Sequence, residues 1–159
     1  MNYLSTIERV VYSSSSNNYK IFFISRECKL KTYFNIPVSD AKNIVLAKES
    51  IHSDRLKTYD LIIDLFSLLS IKIDRFIISK RNNEIFANLF FKINEIEHKV
   101  NLSFIDAMIL SIKSFSNIYI HKNLYFESNT ITTFDDINVN DKTKIVNLKN
   151  ILKFLIKNE

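Results

Sequence analysis

The chain has 159 residues, with 22 Lys and Arg against 17 Asp and Glu for a formal net charge of +5, no glycine, one proline and one cysteine. A chain of this length buries roughly 69% of the surface that it exposes when unfolded, enough for one cored domain. Without glycine no Gly-rich phosphate loop can form, which excludes P-loop and dinucleotide-binding sites; Cys28 alone excludes an intramolecular disulfide and a thiolate metal cage.

The basic excess is spread along the chain, so it permits anionic partners without singling one out. The N-terminal MNYLSTIERVVYSSSS has no basic start and no sustained apolar run, and the longest apolar segment, 61–71, is broken by Asp64, Ser67 and Ser70. A cytoplasmic protein without membrane contact is expected. Turns that need positive φ must fall to Asn or Asp.

A β-type run over 7–12 ends in a serine-rich turn, and strands over 19–25 and 29–36 flank Arg26, Glu27 and Cys28 as a hairpin. Lys20, Arg26, Lys29 and Lys31 interleave there with Tyr19, Phe22, Phe23, Tyr33 and Phe34, a mixture found on single-stranded nucleic-acid platforms and equally in a strand pair with a core face and a wet face. Pro37 ends the strand and opens a helix over 38–48. A second helix over 57–69, with Thr58 as its cap, is apolar beyond one face because Leu61, Leu65 and Leu68 add to the stripe of Tyr59, Ile62, Ile63, Phe66 and Leu69. Strands over 72–79 and 84–93 join through Asn82 and Asn83, and a third, over 98–102, runs into a helix that Ser103 caps and Asp106 supports from its first turn. Ile105, Ala107, Met108, Ile109, Leu110, Ile112 and Phe115 make that helix too apolar for the surface, and Ile118, Tyr119 and Ile120 follow as a strand. Residues 121–140 read as a polar loop with a short strand over 130–134. A basic amphipathic helix over 142–157, with Ile145, Leu148, Ile151, Leu152 and Leu155 on one side, is expected to dock on the same domain.

A hairpin followed by an Asp-Ala helix start occurs twice, at Asp40-Ala41 and at Asp106-Ala107. The expected fold is α+β: duplicated β-β-α units forming a mixed or antiparallel sheet packed on buried helices, over 1–125, plus a C-terminal loop and amphipathic helix over 126–159. Duplication accounts for paired carboxylates without catalysis, and also sets two acidic helix starts in related geometry.

Over 19–125 the chain resembles the bifunctional nuclease domain family. Asp40-Ala41 stands where the family has Glu-Ala, and Arg55, Thr58 and Asp60-Leu61 where it has Arg-Pro-Leu-Thr-His-Asp-Leu. Ile85-Phe86-Ala87-Asn88-Leu89 is similar to its Phe-Tyr-Ala-x-Leu strand, and Asp106-Ala107 with Ile118-Tyr119-Ile120 to its Asp-Ala-Ile-Ala-Leu-Ala helix and Ile-Tyr-Val strand. The resemblance implies an α+β fold, RNase and DNase activity of low sequence preference in some members, and homo-oligomers, a dimer being favoured. The chain departs from the family at Asn101-Leu102-Ser103-Phe104-Ile105, where an acid, an arginine, a proline and a serine are missing, and at Tyr59, Asn35 and Pro37, where the family has His, Trp and Gly.

Phosphodiester hydrolysis needs an activated water and neutralisation of phosphate charge, commonly from Mg²⁺ or Mn²⁺ on carboxylates plus a cation. Asp40, Asp60 and Asp106 are the candidate catalytic and metal-holding residues; Arg55, Thr58 and Ser103 are the candidate substrate-binding residues, all read as lying near helix starts. The functional expectation is a low-specificity nuclease acting on RNA or DNA. Its alternative is a non-catalytic oligomeric or nucleic-acid-binding module on the same fold. Ordinary helix caps and a surface Asp54–Arg55 pair explain the same residues structurally. His52, His98 and His121 lack metal-ligand spacing, and Cys28 sits on a turn with no helix behind it, so nothing marks it as a nucleophile.

Overall fold

The structure, a computed structural model, describes residues 1–13, 17–51 and 53–125. The predicted strand at 130–134, the rest of the loop from 126 and the C-terminal helix lie outside the described residues. The elements run β1 (Asn2–Ser13), β2 (Asn18–Ser25), β3 (Lys31–Ile36), α1 (Val38–Lys48), α2 (Asp54–Leu68), β4 (Lys72–Arg81), β5 (Glu84–Ile93), β6 (Ile96–Ser103), α3 (Phe104–Ser114) and β7 (Asn117–His121). A single 3₁₀ turn over Lys122–Leu124 occupies the start of the stretch read as loop. The fold is α+β.

All seven strands form one mixed sheet in the order β3-β2-β1-β7-β4-β5-β6, antiparallel throughout except for the parallel β4/β7 pair. The sheet is two three-stranded meanders, β1-β2-β3 and β4-β5-β6, joined along β7. The repeated unit is therefore β-β-β-α, one strand longer than the hairpin-plus-helix visible in sequence. The match extends to detail. Each first strand is bulged at an acidic residue, Glu8 in Ile7-Glu8-Arg9 and Asp74 in Ile73-Asp74-Arg75. Each bulge turns the following arginine onto a cross-strand phenylalanine, Arg9 over Phe22 at 5.0 Å and Arg75 over Phe90 at 4.4 Å, where the guanidinium meets the negative ring face.

Alternation along the strands sends Tyr19, Ile21, Phe23, Phe34 and Ile36 to the buried side and Lys20 and Tyr33 to the other, with the Lys20 ammonium 5.1 Å from the Tyr33 ring. Phe76, Ile78, Ala87 and Leu89 continue the core in the second meander, closed by Ala41, Ile44 and Val45 of α1 and Ala107, Met108 and Ile109 of α3. Each fully buried large side chain contributes about 1.5–3 kcal/mol of transfer free energy. α2 covers less. Leu56 is buried and Tyr59, Ile62, Ile63 and Phe66 pack against the core, while Leu61, Leu65, Leu68 and Leu69 face outward. No helix among the described residues is long and apolar enough to cross a membrane.

The expectation that Asn or Asp takes the positive-φ positions holds for Asn82 and Asn83 between β4 and β5, and is overturned at Lys29, Ser50, Ser70, Glu95 and Phe115, where turn and helix-end geometry imposes the left-handed conformation on other residue types. A second such turn, Asn94-Glu95, joins β5 to β6 and extends β6 beyond its predicted start. The burial expected of Phe115 is overturned. α3 ends at Ser114, and Phe115 occupies the left-handed cap position at φ 54° with 94% of its surface exposed. Glycine normally fills this position because a Cβ crowds the following carbonyl. Phe115→Gly is expected to raise stability by about 1 kcal/mol, seen as a higher urea midpoint at unchanged slope.

Candidate functional site

The two repeated helices start differently. α1 begins at Pro37, which offers no side-chain cap, so its first turn is held by backbone bonds from the Asp40 and Ala41 N–H groups to the Pro37 carbonyl. α3 begins at Ser103, whose Oγ accepts from the Asp106 N–H at 3.1 Å and donates to Asp106 Oδ2 at 2.7 Å. The exchange satisfies one otherwise orphaned donor and fixes the carboxylate at the positive end of the helix dipole. The other oxygen, Oδ1, accepts from the Tyr59 hydroxyl at 2.6 Å, which ties α2 to the start of α3. Ser103 and Asp106 thus stand together as predicted. Tyr59, read as a core position and as a departure from the family, turns out to be the third member of their network.

Asp60 is elsewhere. α2 starts at Asp54, with Ser53 in the cap position and no side-chain cap bond, so Thr58 is not the cap but an exposed residue inside the helix. Asp60 is likewise the seventh helical residue and not a helix start. It forms an ion pair with Lys113, whose side chain is mostly buried near the last turn of α3. The rise from Asp106 to Lys113 is about 10 Å along the helix, so the two aspartates are anchored at opposite ends of α3. The sequence analysis passes over Lys113, although it is the only cation in an apolar helix and a buried ammonium requires a counter-ion. Arg55 lies on the first turn of α2, and its side chain lies outside the description.

Two clefts separate these groups. A cavity of about 260 Å³ beside Asp60, Asp64, Lys113 and Lys48 opens at the C-terminal ends of α1 and α3. The larger, about 520 Å³, includes Pro37 at the start of α1 and Phe104 and Ile105 at the start of α3, with Lys80, Asn35 and Asn123 as polar lining. Packing of Phe104 on Phe34, centroids 4.8 Å apart, brings the two helix starts to this common cleft.

Asp40 is half-buried on the first turn of α1 and has its own interactions. Among the described residues no three His, Cys, Asp or Glu side chains come together to hold a metal ion. The donor set of Asp40, Asp60 and Asp106 is thus not a shared metal centre: Asp106 is engaged by two hydroxyls and Asp60 by an ammonium. Tyr59→Phe removes one charge-assisted bond without changing the packing. It is expected to cost about 1–2 kcal/mol, measured by chemical denaturation, with α2 loosened from α3.

Residues 26–132 match the family described as the bifunctional nuclease domain, a span that runs from the β2–β3 turn through β7. No curated protein matches the chain.

Proposed function

This chain belongs to the bifunctional nuclease domain family, and from that premise we propose that it hydrolyses phosphodiester bonds of RNA and DNA with little sequence preference, acting at the start of α3. Family membership supports a nuclease-related or nucleic-acid-binding role. The finer reading is carried by one observation, the orientation of Asp106 by Ser103 and Tyr59.

A carboxylate offers about four lone-pair sites, and two hydroxyl donors leave room for a water. Asp106 then serves as general base. It takes a proton from the attacking water as the water oxygen bonds to phosphorus and the bond to the leaving sugar oxygen breaks, and that oxygen takes up a proton from solvent water. The positive end of the α3 dipole favours a phosphate beside Asp106, and Lys80 lines the neighbouring cleft that Phe104 and Ile105 border. The proposed base is a single carboxylate and needs no Mg²⁺ or Mn²⁺ shared among the three aspartates.

A second reading is a module that binds nucleic acid without cutting it. It is favoured by the neutralisation of Asp60 by Lys113 and by Asn101, Ser103 and Ile105, which stand where the family has an acid, an arginine and a serine.

Cleavage of single-stranded RNA and duplex DNA, with and without added Mg²⁺ or Mn²⁺, distinguishes the two. Asp106→Asn is expected to lower the rate about 100-fold or more, with binding changed only a few-fold, and Asp60→Asn to leave the rate nearly unchanged. Turnover that survives Asp106→Asn contradicts the proposed base. Salt-sensitive binding by the wild type with no turnover establishes the second reading.

A further inference from the structure

The cleft shared by the starts of α1 and α3 carries groups that hydrolysis at Asp106 does not use. At about 520 Å³ it has the size of a small-molecule site. Lys80 supplies a positive charge to its lining, and among the described residues no Asp or Glu lines it. Three exposed amides, Asn35, Asn83 and Asn123, stand around it, and among the described residues no hydrogen bond engages their side chains. β3 is an outer strand of the sheet and contributes Thr32 to Ile36 in succession, so a backbone edge without a strand partner borders the cleft as well.

The apolar part of the lining is where this chain leaves its family. Pro37 stands in place of a Gly and Ile105 in place of a Ser, one at each helix start, with Pro37 exposed and Ile105 half-buried. Phe34 and Phe104, nearly buried against each other, complete it. A glycine and a serine offer no such surface.

A ligand that matches this lining carries a negative charge, a compact body with apolar faces, and an edge that uses both donors and acceptors. One nucleotide unit of a nucleic acid has all three, in its phosphate, its base faces and its base edge. A carboxamide offers an acceptor oxygen and two donor hydrogens, and turning it exchanges them, so the same amides meet any of the bases. Low sequence preference then has a physical source. Reach decides between the forms of nucleic acid. In a duplex each base is stacked on its neighbours and paired along its edge, and it enters a side cleft only when flipped out; a single strand presents its bases without that cost.

We propose that this cleft is the subsite for one unpaired nucleobase, packed on Pro37 and Ile105 and bonded along its edge by the amides of Asn35, Asn83 and Asn123, so that the preferred substrate is single-stranded. The proposal rests on the reading of the α3 start as the hydrolytic centre, and adds to it what holds the strand beside Asp106.

The test is fluorescence anisotropy on the full chain at fixed salt, using phosphorothioate-linked strands that resist cleavage, with thermal melts to confirm that each variant folds. A short single strand is expected to bind at least about tenfold tighter than the same sugar–phosphate chain without its bases, and tighter than the duplex. Ile105→Ser, and Asn35→Ala combined with Asn123→Ala, are each expected to weaken the single strand about threefold or more and to leave the abasic chain unchanged. A single strand that does not bind, or an abasic chain or duplex that binds as tightly, overturns the subsite. So does a preference for bases that neither variant reduces, or a free mononucleotide that competes as well as the strand, which makes the cleft a nucleotide site instead. Failure of the hydrolytic reading looks different: base-dependent binding without turnover supports the subsite and contradicts hydrolysis, whereas turnover that Asp106→Asn abolishes, on strands bound with no dependence on their bases, supports hydrolysis and overturns the subsite.

Discussion

The burial of α3 governs what the rest of the molecule can do. Met108 and Ile109 are fully buried and Phe104, Ala107, Leu110 and Ser111 nearly so, since the helix is packed by α1 and α2 on its flanks and by the second meander beneath. A helix enclosed in this way has no lateral face for chemistry. Polar function is confined to its ends, and each end is occupied by a specific arrangement: Ser103, Asp106 and Tyr59 at the start, and Lys113 with Asp60 towards the finish. Separation of the aspartates is a consequence of that confinement. The helix that orders the core also holds the Asp106 network and the Lys113–Asp60 pair about two turns apart along its length.

Duplication explains much of the geometry and fails informatively at the edges. The Arg9–Phe22 and Arg75–Phe90 pairs, the two bulges and the two helix starts show that both halves solve the same local problem with the same residue types. The halves diverge where one unit must close over the other. α3 extends its first residue, Phe104, onto β3, and the 3₁₀ turn adds a contact there through the Thr32 hydroxyl and the Leu124 carbonyl. β6 receives no such cover among the described residues. A symmetric fold thus closes asymmetrically, and its two edges are covered differently among the described residues.

Much of the fold was legible locally. Pro37 and Ser103 mark the starts of α1 and α3, and Asn82-Asn83 marks the glycine-free hairpin, because each signal acts within a few residues. The central places of β1 and β7 were not legible, since strand order depends on pairings between residues more than a hundred positions apart. The start of α2 is not legible at Ser53 because its apolar period begins after the first turn, which Asp54, Lys57 and Thr58 make polar. Phe115 continued an apolar run past the point where backbone geometry ended the helix. The Ser103–Asp106 bond is legible in their three-residue spacing, whereas the Tyr59 bond is not, because its hydroxyl meets Asp106 only through the crossing of α2 and α3.

The central claim is that nucleic acid meets this protein where α1 and α3 begin, at Asp106, and the most direct measurement is an NMR titration with a short single-stranded oligonucleotide. The account predicts that the amide signals of Val38 to Ala41 and Phe104 to Ala107 shift together, with Lys80, while those around Asp60 and Lys113 remain in place. Shifts confined to the open face of the sheet, around Arg9, Lys20, Arg75 and Lys99, would contradict it.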